Sequence, residues 1–473
     1  MIRTYKVVIS LILLFLVLAA SWMRIDIFKK TSRIFATIDE IVYFRMAKQV
    51  TQDWRDYHTI PFGHELKPDK PFLHGYFFQP LFKHPPLFTF LLAGALKVLG
   101  MRPLSAAYVP IFFGVMLIPL TYFLGVLFFD RLTGLLAALV VFFDPVLTMT
   151  SQKIWPDTTM AFFMVLGFYL FARALKTGRD YLFSFSGLAL GAAIMTKYPG
   201  GLVMAGIVFY AVLYERHLFK NRSFILGIFV IPFLTSIPWM VWNYLVYGLG
   251  GLSRHAELRN LFEKVLTPGI GLLVLLAGVV FYLWHRHLRK SAERKVGRQA
   301  FPISARFRRD WALVIVLFFG ILLSQHLVRS LQFDYVPLGT WYTGYFNTEP
   351  AYFYFGRLIE YSFLYALAFY YLFTSQPMEE KTIAPLRLIA LLILIFFTAW
   401  GGFQSRYVLP AIPVLILLGV HAWLKFFEYF SRLPSRNVSW VGRVALLALF
   451  VFIVARTLHI NDVLSYSNDM CYF

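Results

Sequence analysis

Apolar runs long enough to cross a hydrocarbon layer recur along the whole of this chain. A bilayer core of about 30 Å needs roughly 20 apolar residues in a helix. Candidate spans fall at 7–23, 105–127, 132–150, 158–174, 182–196, 201–214, 223–246, 269–284, 311–327, 357–373, 388–403, 408–424 and 441–457. None has the alternation of a barrel strand, so the backbone must satisfy itself within helices. The pattern predicts an all-α, polytopic membrane protein of about thirteen spans. The segment 85–99 is also apolar, but it is short, opens with two prolines and carries Lys97.

Charge decides how that segment is read. If 85–99 crosses, every later loop changes side, and the nine basic residues of 285–309 become external. If it lies in the interface, that loop is cytoplasmic. So are Arg173/Lys176/Arg179, Arg216/Lys220/Arg222 and Arg432/Arg436/Arg443. All four groups obey the positive-inside rule only in the second case. The N-terminus is then cytoplasmic, and the first external loop covers 24–104. Shorter external segments follow at 153–157, 197–201, 247–268, 328–356 and 404–407, with an external tail at 458–473. The run 7–23 is long for a signal peptide and is read as an uncleaved first span.

The chain of 473 residues is 59% hydrophobic, with a net charge of +21. The basic residues sit in short loops between spans, so the charge marks topology and anionic headgroups, and no nucleic-acid partner is expected. The single cysteine, Cys471, excludes an intrachain disulfide and a cysteine metal site.

With only 24 acidic residues in the chain, Asp39-Glu40 just beyond the first span stands out. Carboxylates beside a membrane are paired, solvated or functional. Thr37-x-x-Glu40 reads as a capping box. Arg45, Lys48, Gln49 and Gln52 then form the polar stripe of an interfacial helix. Both acids could simply start this helix and complement its dipole. That explains Glu40 and leaves Asp39 available as a base. Lys83-His84-Pro85-Pro86-Leu87 reads either as a proline-started helix with snorkelling basic flanks or as cations holding a phosphate. His58, His64, His74 and His84, with Glu65 and Asp69, share the same loop. They could bind a divalent cation, but no compact ligand spacing is present and solvated loop residues are favoured. No other cofactor is indicated. Trp22, Trp54, Trp155, Trp239, Trp242 and Trp341 fall near interfaces and read as aromatic belts.

The order of these motifs resembles the GT-C membrane glycosyltransferases, chiefly protein O-mannosyltransferases and lipid A aminoarabinose transferases. It comprises the acidic pair with Tyr43, and basic-Pro-Pro-Leu at 83–87. Phe128-Phe129-Asp130-Arg131-Leu132-Thr133-Gly134 follows, then 151–157 ending in Asp157. Gly187-x-x-x-Gly191 leads to Thr196-Lys197, and Arg406-Tyr407 lies before Pro410 and Pro413. The likeness covers about 1–215 and 400–415. The aminoarabinose transferases have Glu-Lys where this chain has Lys83-His84, and the mannosyltransferases have Gly-Lys where it has Phe88-Thr89.

The resemblance implies a single GT-C membrane domain over 1–473. Its first part, 1–215, is the catalytic module with the external loop 24–104, and 216–473 supplies the remaining spans. No soluble C-terminal domain is expected. It implies an inverting transfer from a polyprenyl-phosphate-linked sugar to an acceptor hydroxyl on a lipid, glycan or protein. The site would lie on the extracytoplasmic side of the cytoplasmic (inner) membrane. Asp39 and Glu40 are the expected catalytic acids. Lys83, His84, Lys197 and Arg406 are the expected phosphate ligands, and Asp157 and Tyr43 support them. The rival readings are a lipid-linked sugar transporter or flippase, a non-catalytic transferase subunit, and an O-antigen ligase or polymerase that would depend on a basic pair.

Overall fold

The computed structural model describes residues 2–30, 37–66, 75–248, 353–373, 380–400 and 404–431, with scattered residues between 440 and 455. All regular structure among them is helical. Helix α1 (Ile2–Lys30) runs beyond the apolar stretch 7–23. Its polar end is held by Lys30–Asp26 at 2.7 Å and by the buried Arg24, which donates to the Ser151 hydroxyl at 2.7 Å. The helix therefore continues into the start of the segment read as the first external loop.

That loop is built mainly of helix. α2 (Ile38–Gln52) buries Val42, Tyr43, Met46, Ala47 and Val50 and turns Arg45, Lys48 and Gln52 outward, as the stripe predicts. α3 (Ile60–Leu66) and a 3₁₀ turn at Gly75–Phe78 follow. α4 (Leu87–Leu99) packs on α2 and on α5 (Pro103–Phe128). With 13 residues, α4 is about 20 Å long, short of the hydrocarbon core.

The expected span 132–150 is not one helix. α6 (Arg131–Phe143) and α7 (Pro145–Ser151) meet at a bend of 56°. Proline cannot donate a backbone N–H and pushes the preceding residue out of the helical region. Asp144 there has ψ 125° and caps α7 by accepting from Leu147 N at 2.9 Å. This break turns the chain into 152–155, the segment that enters the site.

α8 (Pro156–Thr177) and α9 (Tyr181–Thr196) form an antiparallel pair in the core. α10 is Leu202–Tyr214. α11 (Arg222–Ile225) continues through a π turn at Leu226–Val230 into α12 (Ile231–Tyr247). Gly187 lets α9 touch the π turn, and Gly191 lets it touch α12. An added Cβ would lie 1.8 Å from the Gly227 carbonyl oxygen at one position and 2.0 Å from Thr235 Oγ1 at the other.

The expected span 357–373 is likewise broken, at Ser362, into α13 (Phe353–Tyr361) and α14 (Phe363–Phe373). α15 (Glu380–Trp400) starts earlier than 388. A 3₁₀ turn at Ser405–Ala411 leads into α16 (Ile412–Ser431), which packs against α14 and α6.

Among the described residues five helices are long and apolar enough to cross alone, and six spans result if α6 and α7 count as one. The expected spans 269–284 and 311–327 lie outside the described residues, as do the loop 285–309, most of 328–356 and most of 441–457.

Candidate active site

The loops predicted to share one face meet. Thr37 caps α2: its hydroxyl accepts from Glu40 N at 3.4 Å and donates to Glu40 Oε2 at 3.2 Å. Thr37 Oγ1 also accepts from Trp155 Nε1 at 3.0 Å, which pins the 152–155 segment to the start of α2.

The acidic pair divides at this point. Glu40 turns inward, with its side chain 1% exposed. It accepts from Ile154 N at 3.3 Å and faces Lys153 Nζ at 3.7 Å. Burial raises its carboxyl above the usual range, against the pull of Lys153 and the N–H donors. Asp39 turns outward and keeps 47% of its side-chain surface open. Burial of its surroundings pushes its carboxyl up. Arg406, Lys83 and Lys197 outweigh that effect and hold it below the ordinary range. An accessible carboxylate enclosed by protein and three cations lines a recess.

Arg406 reaches that recess from the opposite end of the sequence. Its Nη2 donates to Asp39 Oδ2 at 2.8 Å and its Nε to Gln404 Oε1 at 2.6 Å. The guanidinium lies 4.1 Å from the Trp155 ring centroid and 5.3 Å from that of Tyr407. Lys197 follows the last turn of α9. Its Nζ lies 4.8 Å from the same Tyr407 ring and 3.0 Å from Asp157 Oδ1. Asp157 is buried in the first turn of α8. Lys83, half-buried, acts on Asp39 through its charge.

His84 and Tyr43 are buried. His84 is buried with its ring 5.4 Å from Phe82, and its carbonyl accepts from Tyr57 Oη at 2.9 Å. Tyr43 is buried edge-on to Phe82 and Phe88 at 5.6 and 5.2 Å. It supports the loop through packing. α12 braces both basic loops: Tyr247 Oη accepts from Leu81 N at 3.0 Å, and Trp239 Nε1 donates to Tyr198 Oη at 2.9 Å.

Beside the recess runs an apolar groove of about 540 Å³. Pro86, Leu87, Leu188, Met195, Trp54 and Trp242 are among its walls. Pro86 and Leu87 directly follow Lys83-His84, and Met195 precedes Lys197 by two residues.

Two tryptophans read as belt residues are not at a lipid interface. Trp155 is 2% exposed and Trp239 4%, because each ring has a polar partner inside the protein. Trp155, Gln404 and Lys153 are the site neighbours that sequence reasoning missed. Their signal was position alone, inside segments already marked as external. Among the described residues no three His, Cys, Asp or Glu side chains form a metal-holding group. His74 and Asp69 lie outside those residues.

The fold as a whole is similar to that of solved structures. The archaeal oligosaccharyltransferase AglB from Archaeoglobus fulgidus, in complex with an inhibitory peptide and a dolichol-phosphate, superposes with a TM-score of 0.54 at 16% identity. The match covers 96% of this chain and 56% of that one. ArnT from Cupriavidus metallidurans gives 0.55 in the apo state at 14% identity, covering 99% of this chain and 76% of that one. Bound to undecaprenyl phosphate, ArnT gives 0.52. The chain has the GT-C fold. Residues 83–242 match the family model of dolichyl-phosphate-mannose-protein mannosyltransferases. An uncharacterised protein of Aquifex aeolicus (strain VF5) is 28% identical over 171 residues, which are 34% of this chain and 33% of that protein. The resemblance read from the motifs is borne out. This GT-C chain spans a third of the Aquifex relative's length and about half of AglB's.

Proposed function

We propose that this GT-C protein is an inverting glycosyltransferase that uses a polyprenyl-phosphate-linked sugar. One observation carries the reading: an accessible carboxylate, Asp39, shares a recess with Arg406, Lys197 and Lys83, beside an apolar groove. A lipid-linked sugar phosphate has the matching parts. Its isoprenoid chain would occupy the groove, its phosphate would meet the cations, and its sugar would project toward Asp39.

In the transfer step the acceptor hydroxyl attacks the anomeric carbon and its proton passes to Asp39. The bond from that carbon to the phosphate oxygen breaks, and its electron pair leaves with polyprenyl phosphate. Charge grows on that oxygen as the bond stretches. Preorganised cations at a site poor in water stabilise it strongly. Attack opposite the leaving group inverts the anomeric centre. Glu40 acts as a positioning residue by fixing 153–155 against α2. Asp157 holds Lys197 in place. His84 would contribute through the loop it anchors. A divalent cation has no part in this reading.

The site would face the extracytoplasmic side of the cytoplasmic membrane, with a hydroxyl of a lipid, glycan or protein as acceptor. The test is transfer from a polyprenyl-phosphate sugar by the purified protein. Arg406→Gln and Lys197→Gln should each weaken donor binding and slow turnover. A donor affinity unchanged in both variants would remove the phosphate clamp.

A further inference from the structure

Both strong cations of the recess are already engaged by carboxylates. Arg406 holds Asp39, and Lys197 holds Asp157. Under the proposed function, on which this inference rests, Arg406 must bind phosphate while Asp39 must accept a proton. One geometry cannot serve both, because a carboxylate locked on a guanidinium is a weak base and a guanidinium locked on a carboxylate is a poor phosphate ligand.

We propose that the Arg406–Asp39 ion pair is a latch that the donor phosphate opens, so that the base is released only when a donor is in place.

The two partners are held very differently. Arg406 stays where it is without Asp39. Its Nε is taken by Gln404 at 2.6 Å, and its guanidinium lies over Trp155 at 4.1 Å, with Tyr407 at 5.3 Å. Trp155 is itself tied to Thr37. Asp39 is held mainly through one oxygen, at 2.8 Å, and 47% of its side chain is open. When an anion competes for the guanidinium, the carboxylate is therefore the partner that moves. A phosphate ester offers several acceptor oxygens to the planar fork, which suits bidentate binding.

The electrostatics run the same way. Arg406 on the 3₁₀ turn, Lys83 before α4 and Lys197 after α9 all lower the Asp39 carboxyl, and burial raises it. Asp157 on α8 faces the same cations, and Glu40 on α2 is occupied with Lys153. A phosphate that neutralises the three cations removes the lowering influences and leaves burial. Asp39 then becomes a stronger base at the moment one is needed. Without donor it stays ionised, paired and idle.

The test is a double-mutant cycle read by calorimetric binding of farnesyl phosphate, a short isoprenyl monophosphate, to the full chain in detergent. If Asp39 competes with phosphate for Arg406, Asp39→Asn should tighten binding about tenfold, the scale of one charge-assisted hydrogen bond. The gain should shrink to less than about twofold in an Arg406→Gln background, since the contested group is gone. An equal gain in both backgrounds is simple charge repulsion and overturns the latch, as does no gain in either. If Arg406→Gln does not fold, infrared difference spectra of the wild-type protein decide. Farnesyl phosphate should shift a carboxylate band that is missing in Asp39→Asn, and an unmoved band overturns the latch. Farnesyl phosphate binding that is indifferent to both Arg406→Gln and Lys197→Gln is a separate outcome, because it removes the clamp and the proposed function with it.

Discussion

Asp39 and Glu40 are adjacent in sequence, yet they sit in opposite surroundings, and substitution should separate their effects. Asp39→Asn keeps the size of the side chain and removes the basic lone pair. It should lower transfer by about 10²-fold or more, the low end for a positioned base, with little loss of thermal stability. Glu40→Gln should show the reverse. It leaves the buried Lys153 without a carboxylate, at a cost on the order of 3 kcal/mol, and it lowers turnover less. Steady-state transfer and detergent melting curves on the two variants give the comparison. The pH dependence follows from the lowered Asp39 carboxyl. A depressed acid loses its ion pair only as pH falls through the lowered value. The acid limb of kcat/KM for donor, which reports the free enzyme, should therefore lie below the ordinary aspartate value of about 3.9. The limb of kcat at saturating donor should lie above it, because the bound phosphate cancels the cations. Coincident limbs would argue against a donor-dependent base.

At the scale of elements, the broken span α6–α7 carries the site. Asp144 accepts from Tyr365 Oη at 2.6 Å and caps α7, whose end delivers Lys153 and Trp155. Tyr365→Phe should cost about 1–3 kcal/mol, because a buried carboxylate loses a donor. Asp144→Asn keeps the cap but removes the carboxylate facing the buried Arg24, and should cost at least as much. Melting temperatures of the two variants test that order. Most of this scale was legible in the sequence. The α2 stripe, the proline start of α4 and the cap at Thr37 are local signals, and their elements form where the pattern put them. The break at Asp144-Pro145 was also written there, as an acid and a proline inside an apolar run. Apolar periodicity outweighed it, because a window of membrane length averages over two residues. The face presented by Trp155 could not be read locally. It depends on Thr37 and Arg406, which only the tertiary fold brings near.

For the whole molecule, the positive-inside rule predicts an orientation that labelling can test. Cysteines placed at 290–300 should resist a membrane-impermeant maleimide in intact cells, and labelling from outside would reverse the side assigned to Asp39. Charge asymmetry made the shared face legible. Convergence on one recess was expected only from the matching motifs, and it depends on helix packing that no single segment encodes. The contact between Asp39 and Arg406 joins residues 367 apart in the chain. At a synthesis rate of about 5–20 residues per second, Asp39 waits roughly 20–70 s for its cation to be made. For the later part of that interval the N-terminal half, including the family-matching stretch 83–242, can already be in the membrane with its acidic residue in place. A nascent or truncated chain ending before 404 would therefore carry the carboxylate without the guanidinium that restrains and completes it. Under the proposed function the site would be complete only once the 3₁₀ turn before α16 has been made, so a half-made chain in the membrane would have no means of consuming a lipid-linked donor.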